Sequence, residues 1–233
     1  MTTMSSYGVN QEFLENATAI DQYIISNLLP HDTGLSAALE NNQSSNLDSI
    51  DVAPNQGKML YLSAKMIRAK RILEVGTLGG YSAIWLAKAV GATGKVVTLE
   101  IDPEHARVAQ ENIAFAGFEN VVDVKTGPAL DTLQAMQTAG TEDFDMVFID
   151  ADKQNNVGYF KAALAFSHVG TVIIVDNVGR RGKLSDESVT DISVVGTRNL
   201  FQYLKEEKRV EATAVQTVGC KGWDGYLMAL VVA

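Results

Sequence analysis

Five short and largely apolar runs alternate with longer stretches of helical pattern from Arg71 onward, and this alternation constrains the fold more than any other feature. The runs are residues 72–75, 96–99, 121–124, 146–149 and 172–175. Strands that are apolar at successive positions are typical of a parallel sheet whose two faces are both covered by helices. The pattern therefore predicts an α/β fold built on a doubly wound, mostly parallel sheet.

Two further strands are predicted near residues 212–217 and 226–232, with a Gly-rich link at 219–225 between them. Strands joined by so short a link pair antiparallel, because a parallel pair needs a long crossover connection. We therefore expect a seven-stranded sheet in which the last strand is antiparallel.

The N-terminal part of the chain is predicted to be helical. Between residues 12 and 29, apolar residues recur three or four positions apart and form one stripe, which consists of Phe13, Ala17, Ile20, Ile24 and Leu28. Residues 31–49 are polar and are expected to form a loop with at most a short helix. A second helix is expected to begin near Asn55, a good N-cap residue. We expect one domain over residues 1–233, with N-terminal helices in an extension at 1–69 and the α/β core at 70–233.

Composition narrows the choice of partners and compartment. The formal net charge of −9 would repel phosphate backbones, so we expect no nucleic-acid partner. Cys220 is the only cysteine, which suits a reducing compartment. No signal peptide is apparent, and no apolar stretch approaches the ~20 residues that cross a bilayer. We therefore expect a cytoplasmic protein without a membrane partner.

A glycine-containing turn follows the first apolar run and reads Gly76-Thr77-Leu78-Gly79-Gly80. Glycines let the backbone turn sharply and approach a ligand, and Ser82 at the start of the next helix could bind a ligand carboxylate. Glu100 ends the second run, where an acid can accept hydrogen bonds from both ribose hydroxyls of an adenosine ligand. The spacing differs from G-x-G-x-x-G, which disfavours a nicotinamide or flavin dinucleotide. A tight turn without a ligand and a solvated carboxylate are the alternative interpretations.

Polar residues also follow the fourth and fifth runs. Asp150 ends the fourth, and Asp176 and Asn177 end the fifth. Because ligands bind beyond the carboxyl ends of strands where the strand order reverses, these residues are expected in one crevice. Their oxygens suit Mg²⁺, whereas no His or Cys cluster accompanies them, which disfavours zinc. Lys153 could remove a proton from a substrate hydroxyl. Helix capping by the acids and a solvated lysine are the alternatives.

Taken together, these residues resemble the cation-dependent O-methyltransferases of the catechol and caffeoyl-coenzyme A types, closest to their small bacterial and fungal members. The resemblance runs from residue 51 to residue 226, and it is most specific at 74–82, at 148–153 and at Asp176-Asn177. It implies the Rossmann-like fold of methyltransferases that use S-adenosylmethionine (SAM). It also implies transfer of a methyl group to a hydroxyl of a small catechol-like or phenolic acceptor.

The resemblance implies a role for each matching position. Asp150, Asp176 and Asn177 match ligands of Mg²⁺ or of another divalent cation such as Mn²⁺ or Ca²⁺, and Lys153 matches the general base. Contacts with SAM are implied for Val52, Glu74, Gly76, Thr77, Ser82, Glu100, Ala129, Asp150 and Asp152. Family members are commonly dimers, so we expect a homodimer.

The stretch after Asn177 departs from the plant enzymes, which carry an apolar, Trp-containing segment there. Here residues 178–183 include Arg180, Arg181 and Lys183, so a coenzyme A thioester acceptor does not follow from the resemblance. Two rival functions stay open, namely a metal-independent SAM methyltransferase acting on another small molecule and a non-catalytic SAM-binding protein. A nicotinamide-dependent oxidoreductase is a weaker third. Binding of S-adenosylhomocysteine (SAH) but not NAD would exclude that third function.

Overall fold

The computed structural model describes residues 10–233, which form a seven-stranded sheet with helices on both faces. The strands are β1 Arg71–Val75, β2 Lys95–Glu100, β3 Val122–Thr126, β4 Phe144–Ile149, β5 Ser167–Asp176, β6 Val210–Gly219 and β7 Gly222–Val231. Their order across the sheet is β3-β2-β1-β4-β5-β7-β6. β7 pairs antiparallel with both of its neighbours, and the other pairs are parallel. The predicted sheet, including its antiparallel last strand, is confirmed.

Within residues 10–233, three helices precede β1, and one helix follows each of the first five strands. They are α1 Gln11–Leu28, α2 Thr33–Ser44, α3 Pro54–Met66, α4 Tyr81–Val90, α5 Pro103–Phe115, α6 Ala129–Thr138, α7 Asn156–Ala165 and α8 Ile192–Glu206. Short 3₁₀ turns follow β4 at Lys153–Asn155 and β5 at Arg180–Gly182. In this part of the chain no helix is both long and apolar enough to cross a membrane.

The central strands bury both of their faces, which explains their largely apolar sequences. Ile72 and Met146 belong to a core packed under α2–α5, whereas the adjacent Leu73 and Val147 belong to a second core packed under α6–α8. Each fully buried aliphatic side chain of this kind contributes about 1.5–3 kcal/mol relative to an exposed one. The sheet is therefore held between two separate apolar layers.

The strand order reverses between β1 and β4, which are adjacent and parallel. The helix that follows β1, α4, packs into the first core, whereas the helix that follows β4, α7, packs into the second. The two connections therefore leave the sheet in opposite directions and open a crevice at the carboxyl ends of these strands.

The first helix is where predicted, but its apolar stripe faces mainly outward. Phe13 is 48% exposed, Ile20 61% and Leu28 68%, whereas the buried positions of α1 are Ala17 and Asp21. The side of the helix that faces the protein is thus partly polar. Asp21 accepts hydrogen bonds there from the Asn55 side chain and from the backbone of the β6–β7 turn.

The expectation of a loop at residues 31–49 is wrong, because these residues contain the twelve-residue α2. Asp32 caps its start by accepting a 3.0 Å hydrogen bond from the Leu35 N–H, and Leu35 and Ala38 bury an apolar side of the helix. Tertiary packing overrides the weak helix propensity of the polar residues in between. The structure therefore adds a second helix to the N-terminal region that the sequence did not predict.

The helix expected near Asn55 is present, but Asn55 is not its N-cap. Ala53 is the N-cap of α3 and Pro54 is the first helical residue, a position where proline loses no hydrogen bond. The Asn55 side chain donates instead to Asp21, so this amide ties α3 to α1.

Candidate active site

A cavity of about 970 Å³ opens at the carboxyl ends of the central strands. All of the predicted site residues except Glu74 and Asp176 line it, namely Val52, Gly76, Thr77, Ser82, Glu100, Ala129, Asp150, Asp152, Lys153 and Asn177. The two exceptions are buried at its base, with Glu74 0% and Asp176 5% exposed. The structure therefore brings the predicted residues together around one cavity.

The glycine turn after β1 fixes the backbone at this cavity. Gly76 has a φ of +100°, and a Cβ there would collide with the carbonyl oxygen of Asp150, so no other residue fits. The N–H groups of Thr77 and Leu78 donate to Oε2 of Glu100 at 3.2 and 2.8 Å. The acid at the end of β2 thus holds the turn through Oε2. Its Oε1 accepts from the N–H of Asp102 at 3.0 Å and keeps a lone pair for a ligand hydroxyl.

Glu74 provides an unused acceptor below the turn. Its Oε2 accepts a 2.5 Å hydrogen bond from Thr98, whereas its Oε1 is buried without a partner. Burial raises the pKa of Glu74 to about 7. The nearby hydroxyls of Ser82 and Thr98 act against this rise, whereas the negative charges of Asp150 and Glu100 add to it. A buried carboxylate oxygen without a partner is costly, so this atom suits a cationic donor such as the ammonium group of an amino-acid ligand.

Several cavity residues were not predicted from the sequence. Tyr159 donates a short hydrogen bond from its hydroxyl to Oδ1 of Asp152, and Asn155 donates to Oδ2 at 2.7 Å. His105, to which the sequence assigned no role, places Nδ1 3.7 Å from Oε1 of Glu100. His105 and Tyr159 lie on α5 and α7, and Asn155 lies in the 3₁₀ turn after β4.

A pair of acids and a lysine lie where β4 and β5 end. The carboxylate of Asp176 accepts 2.8 Å hydrogen bonds from the side chain of Gln56 and from the N–H of Asn177. Burial, and then the negative charge of Asp150, raise the pKa of Asp176 to about 7. Lys153 is only 8% exposed and donates from Nζ to Oδ1 of Asp150 at 2.8 Å. The positive charge of Lys153 thus acts on both carboxylates, that of Asp150 and that of Asp176.

The side-chain oxygens of Asp150, Asp176 and Asn177 suit a hard divalent cation. Two carboxylates and the Asn177 amide supply only oxygen, which Mg²⁺, Mn²⁺ and Ca²⁺ prefer. Residues 10–233 contain no group of three or more His, Cys, Asp and Glu side chains suited to a metal, and the proposed ligand set has only two side chains of these types, Asp150 and Asp176. Asn177 has a φ of 57°, a left-handed conformation that is unfavourable for most residues and is found at ligand sites.

The basic segment after Asn177 is anchored by the last strand. Oδ1 of Asp224 accepts hydrogen bonds from the N–H groups of Gly179 at 2.9 Å and of Arg180 at 3.0 Å. Nε of Arg180 is buried without a hydrogen-bond partner. The segment therefore has a fixed backbone beside the proposed cation ligands.

Four features define the class of this protein as a SAM-dependent methyltransferase. They are the open α/β sheet with its antiparallel last strand, the glycine turn after β1, the acid at the end of β2 and the cavity that joins them. The sequence profile of the O-methyltransferase family matches residues 32–228, and the chain belongs to that family.

Several O-methyltransferases are similar to this chain over nearly its whole length. Catechol O-methyltransferase from Mycobacterium tuberculosis is 47% identical over 224 residues, which are 96% of this chain and 99% of the relative. The O-methyltransferase from Bacillus cereus in complex with SAH superposes with a TM-score of 0.92 at 49% identity, covering 94% of this chain and 99% of that one. The O-methyltransferase TomG from Streptomyces achromogenes, in complex with SAM, gives 0.91 at 41% identity over 94% and 99%.

These findings confirm the family and the Rossmann-like fold that the sequence implied. The chain is a SAM-dependent O-methyltransferase of the catechol and caffeoyl-coenzyme A-like family. Family membership excludes the nicotinamide-dependent alternative and argues against a protein that only binds SAM.

Proposed function

We propose that the protein methylates one of two vicinal hydroxyls of a small catechol-like acceptor, with a divalent cation held by Asp150, Asp176 and Asn177. The observation that carries this proposal is the buried carboxylate of Asp176 beside the half-buried carboxylate of Asp150, to which Lys153 is hydrogen-bonded at 2.8 Å. Such a cluster would offer a cation and a base to the same acceptor. The catechol O-methyltransferase that is 47% identical supports this choice of acceptor.

The donor half of the cavity fits SAM by its hydrogen-bonding groups. Oε1 of Glu100 would accept from a ribose hydroxyl, and Oε1 of Glu74 would accept from the ammonium group. Ser82 and the first N–H groups of α4 are suited to the carboxylate end, because a helix start leaves donors unpaired. When bound, SAM supplies a methyl group whose bond to sulfur breaks as its bond to the acceptor oxygen forms.

In its neutral form, Lys153 would take the proton of the acceptor hydroxyl. Its side chain is almost fully buried, and its hydrogen bond with Asp150 fixes Nζ beside the proposed cation ligands. When bound, the cation supplies positive charge that makes a neighbouring hydroxyl more acidic. Positioning of the hydroxyl toward the methyl group by the surrounding residues supplies most of the remaining rate gain.

The test is a panel of catechols, hydroxycinnamates and flavonoids with SAM, each assayed with Mg²⁺ and with excess EDTA. We expect methylation only of acceptors with vicinal hydroxyls and only with the cation present. Undiminished turnover in EDTA would contradict the role of the cation and support the metal-independent alternative. Equal turnover of acceptors with a single hydroxyl would contradict the vicinal requirement.

A further inference from the structure

The wall of the donor cavity includes a segment from the connection between α2 and α3. Ile50, Asp51 and Val52 line the cavity together with the glycine turn. This segment belongs to neither a helix nor a strand, so its position depends on the contacts that side chains make with it. Asp51 is the acidic residue of this segment, and a side chain of α2 donates a hydrogen bond to its carboxylate.

Asn42 on α2 connects this segment to the rest of the site. Its Nδ2 donates to Oδ1 of Asp51 at 2.9 Å, and its Oδ1 accepts from Nδ2 of Asn112 at 2.8 Å. Nδ2 of Asn112 also donates to the carbonyl oxygen of Gly79 at 2.8 Å. Asn42 and Asn112 are each 3% exposed, so both amides are bound in a place that water does not reach freely.

The glycine turn packs directly against the same amide. A Cβ at Gly79 would overlap the Oδ1, Cγ and Nδ2 atoms of Asn42, so the turn and α2 approach as closely as a glycine allows. One buried side chain therefore touches the turn and donates to the cavity wall. Any shift of Asn42 would change the distance between these two parts of the donor site.

The segment is also held from its other end. Nζ of Lys221, in the β6–β7 turn, donates to the carbonyl oxygen of Ser49 at 3.1 Å. Burial raises the pKa of Asp51, while the charge of Lys221 and the hydrogen bond from Asn42 act in the opposite direction. Polar contacts at Ser49 and at Asp51 thus hold the segment, in addition to apolar packing.

We propose that Asn42 is a positioning residue for SAM, which holds residues 50–52 at a set distance from the glycine turn through its hydrogen bond to Asp51. The proposal rests on family membership and on these contacts, and it is independent of the cation and of the acceptor. It predicts an effect on donor affinity that is larger than any effect on the chemical step.

The experiment compares Asn42→Ala with Asn41→Ala by calorimetric titration with SAH. Asn41 is a matched control, because it lies on the same helix and its side chain also bonds Asn112, at 2.8 Å, but not Asp51. Both variants should lower the melting temperature. We expect Asn42→Ala to raise the Kd for SAH about tenfold, the usual scale for a lost hydrogen bond to a charged group, and Asn41→Ala to leave it within about twofold.

A double-mutant cycle tests whether Asn42 acts through Asp51. If it does, Asn42→Ala adds no further loss of SAH affinity in an Asp51→Ala background. Additive losses, or an Asn42→Ala protein that melts earlier but binds SAH normally, would overturn the proposal. Should Asn42→Ala not fold, Asp51→Ala alone tests the same link, because it removes the acceptor of Asn42 and leaves the hydrogen bond between Asn42 and Asn112 in place. Normal SAH affinity of that variant would equally overturn it.

SAH binding separates this inference from the proposed function. The titration needs neither the cation nor the acceptor, so a methyltransferase that proves active in EDTA would still show the Asn42 effect. Conversely, a cation-dependent enzyme whose SAH affinity ignores Asn42 would overturn only the present inference.

Discussion

The side-chain amide of Gln56 on α3 donates a 2.8 Å hydrogen bond to Oδ2 of Asp176 at the end of β5. The other oxygen of Asp176 accepts from the N–H of Asn177, so the plane of the carboxylate is fixed from two sides. One of these donors comes from the N-terminal helices and the other from the sheet. The N-terminal region therefore helps to shape the proposed cation site.

Replacing Gln56 with Leu should weaken cation binding. Partners that orient a metal ligand typically change affinity 10–100-fold, and we expect a loss of about tenfold for Mn²⁺ by calorimetry or by electron paramagnetic resonance. Lys58→Ala on the same helix is the control, because Lys58 lies over the rings of Tyr61 and Trp85 rather than near Asp176. Equal Mn²⁺ affinity of the Gln56→Leu and wild-type proteins would show that this hydrogen bond has no part in metal binding.

Replacing Lys153 with Met should abolish most turnover without loss of the donor. The apolar side chain keeps the length of lysine but cannot accept a proton, and loss of a general base costs roughly 10²–10⁴-fold in rate. We expect kcat to fall by that range while the Kd for SAH changes less than about threefold. Lys161→Met is the control, since Lys161 is exposed and lies over the ring of Tyr203. If the kcat of the Lys153→Met enzyme stays within fivefold of the wild-type value, a group other than Lys153 accepts the proton.

Removing the hydroxyl of Tyr159 should loosen the donor site through Asp152. Burial, and then Asp152, hold the pKa of Tyr159 above its usual range, so the phenol stays protonated and donates at every working pH. Tyr159→Phe should raise the Kd for SAH about fivefold, a loss of about 1 kcal/mol. Tyr203→Phe is matched, because Tyr203 donates to Glu207 at 2.6 Å, outside the cavity. Identical SAH affinities for the two variants would argue against positioning through Asp152.

The strands and the residues at their ends could be predicted because both are encoded locally. A buried parallel strand needs consecutive apolar residues, and the residue that follows it necessarily lies at the carboxyl edge of the sheet. Gly76, Glu100 and Asp150 were therefore placed correctly from sequence spacing alone, and all three line the cavity. Asp176 followed from the same rule, although it is buried below the cavity.

Contacts between distant segments could not be predicted in this way. Gln56 and Asp176 are 120 positions apart, and Asn42 and Asn112 are 70 apart. An amide-rich stretch has the composition of a loop, so α2 was missed until its buried contacts with the core were visible. Residues that contact the cavity-lining side chains without lining the cavity themselves come mainly from such pairs. The residues that line the cavity could therefore be predicted from the sequence, but their partners could not.

The pKa of Glu74 makes a prediction about stability as a function of pH. In the folded protein this pKa is raised to about 7 from the ordinary 4.5, so the folded state binds more protons than the unfolded state between these two values. The contribution of protonated Glu74 to the free energy of unfolding is fully present below pH 4.5, and it is lost as the pH rises through 7. We expect this loss to be on the order of 1–3 kcal/mol without a donor bound.

Glu74→Gln isolates this effect because glutamine cannot ionise. The free energy of unfolding of the wild-type protein, measured by denaturant titration from pH 5 to pH 8, should fall relative to that of the variant as the pH rises. The other carboxylic acids whose pKa burial raises, namely Asp51, Asp176 and Asp224, are present in both proteins, so their contributions cancel in the comparison. SAH should reduce the wild-type loss, because an ammonium group at the free Oε1 would favour the ionised carboxylate. Parallel pH profiles for the two proteins would mean that Glu74 ionises normally and that its unpartnered oxygen is solvated.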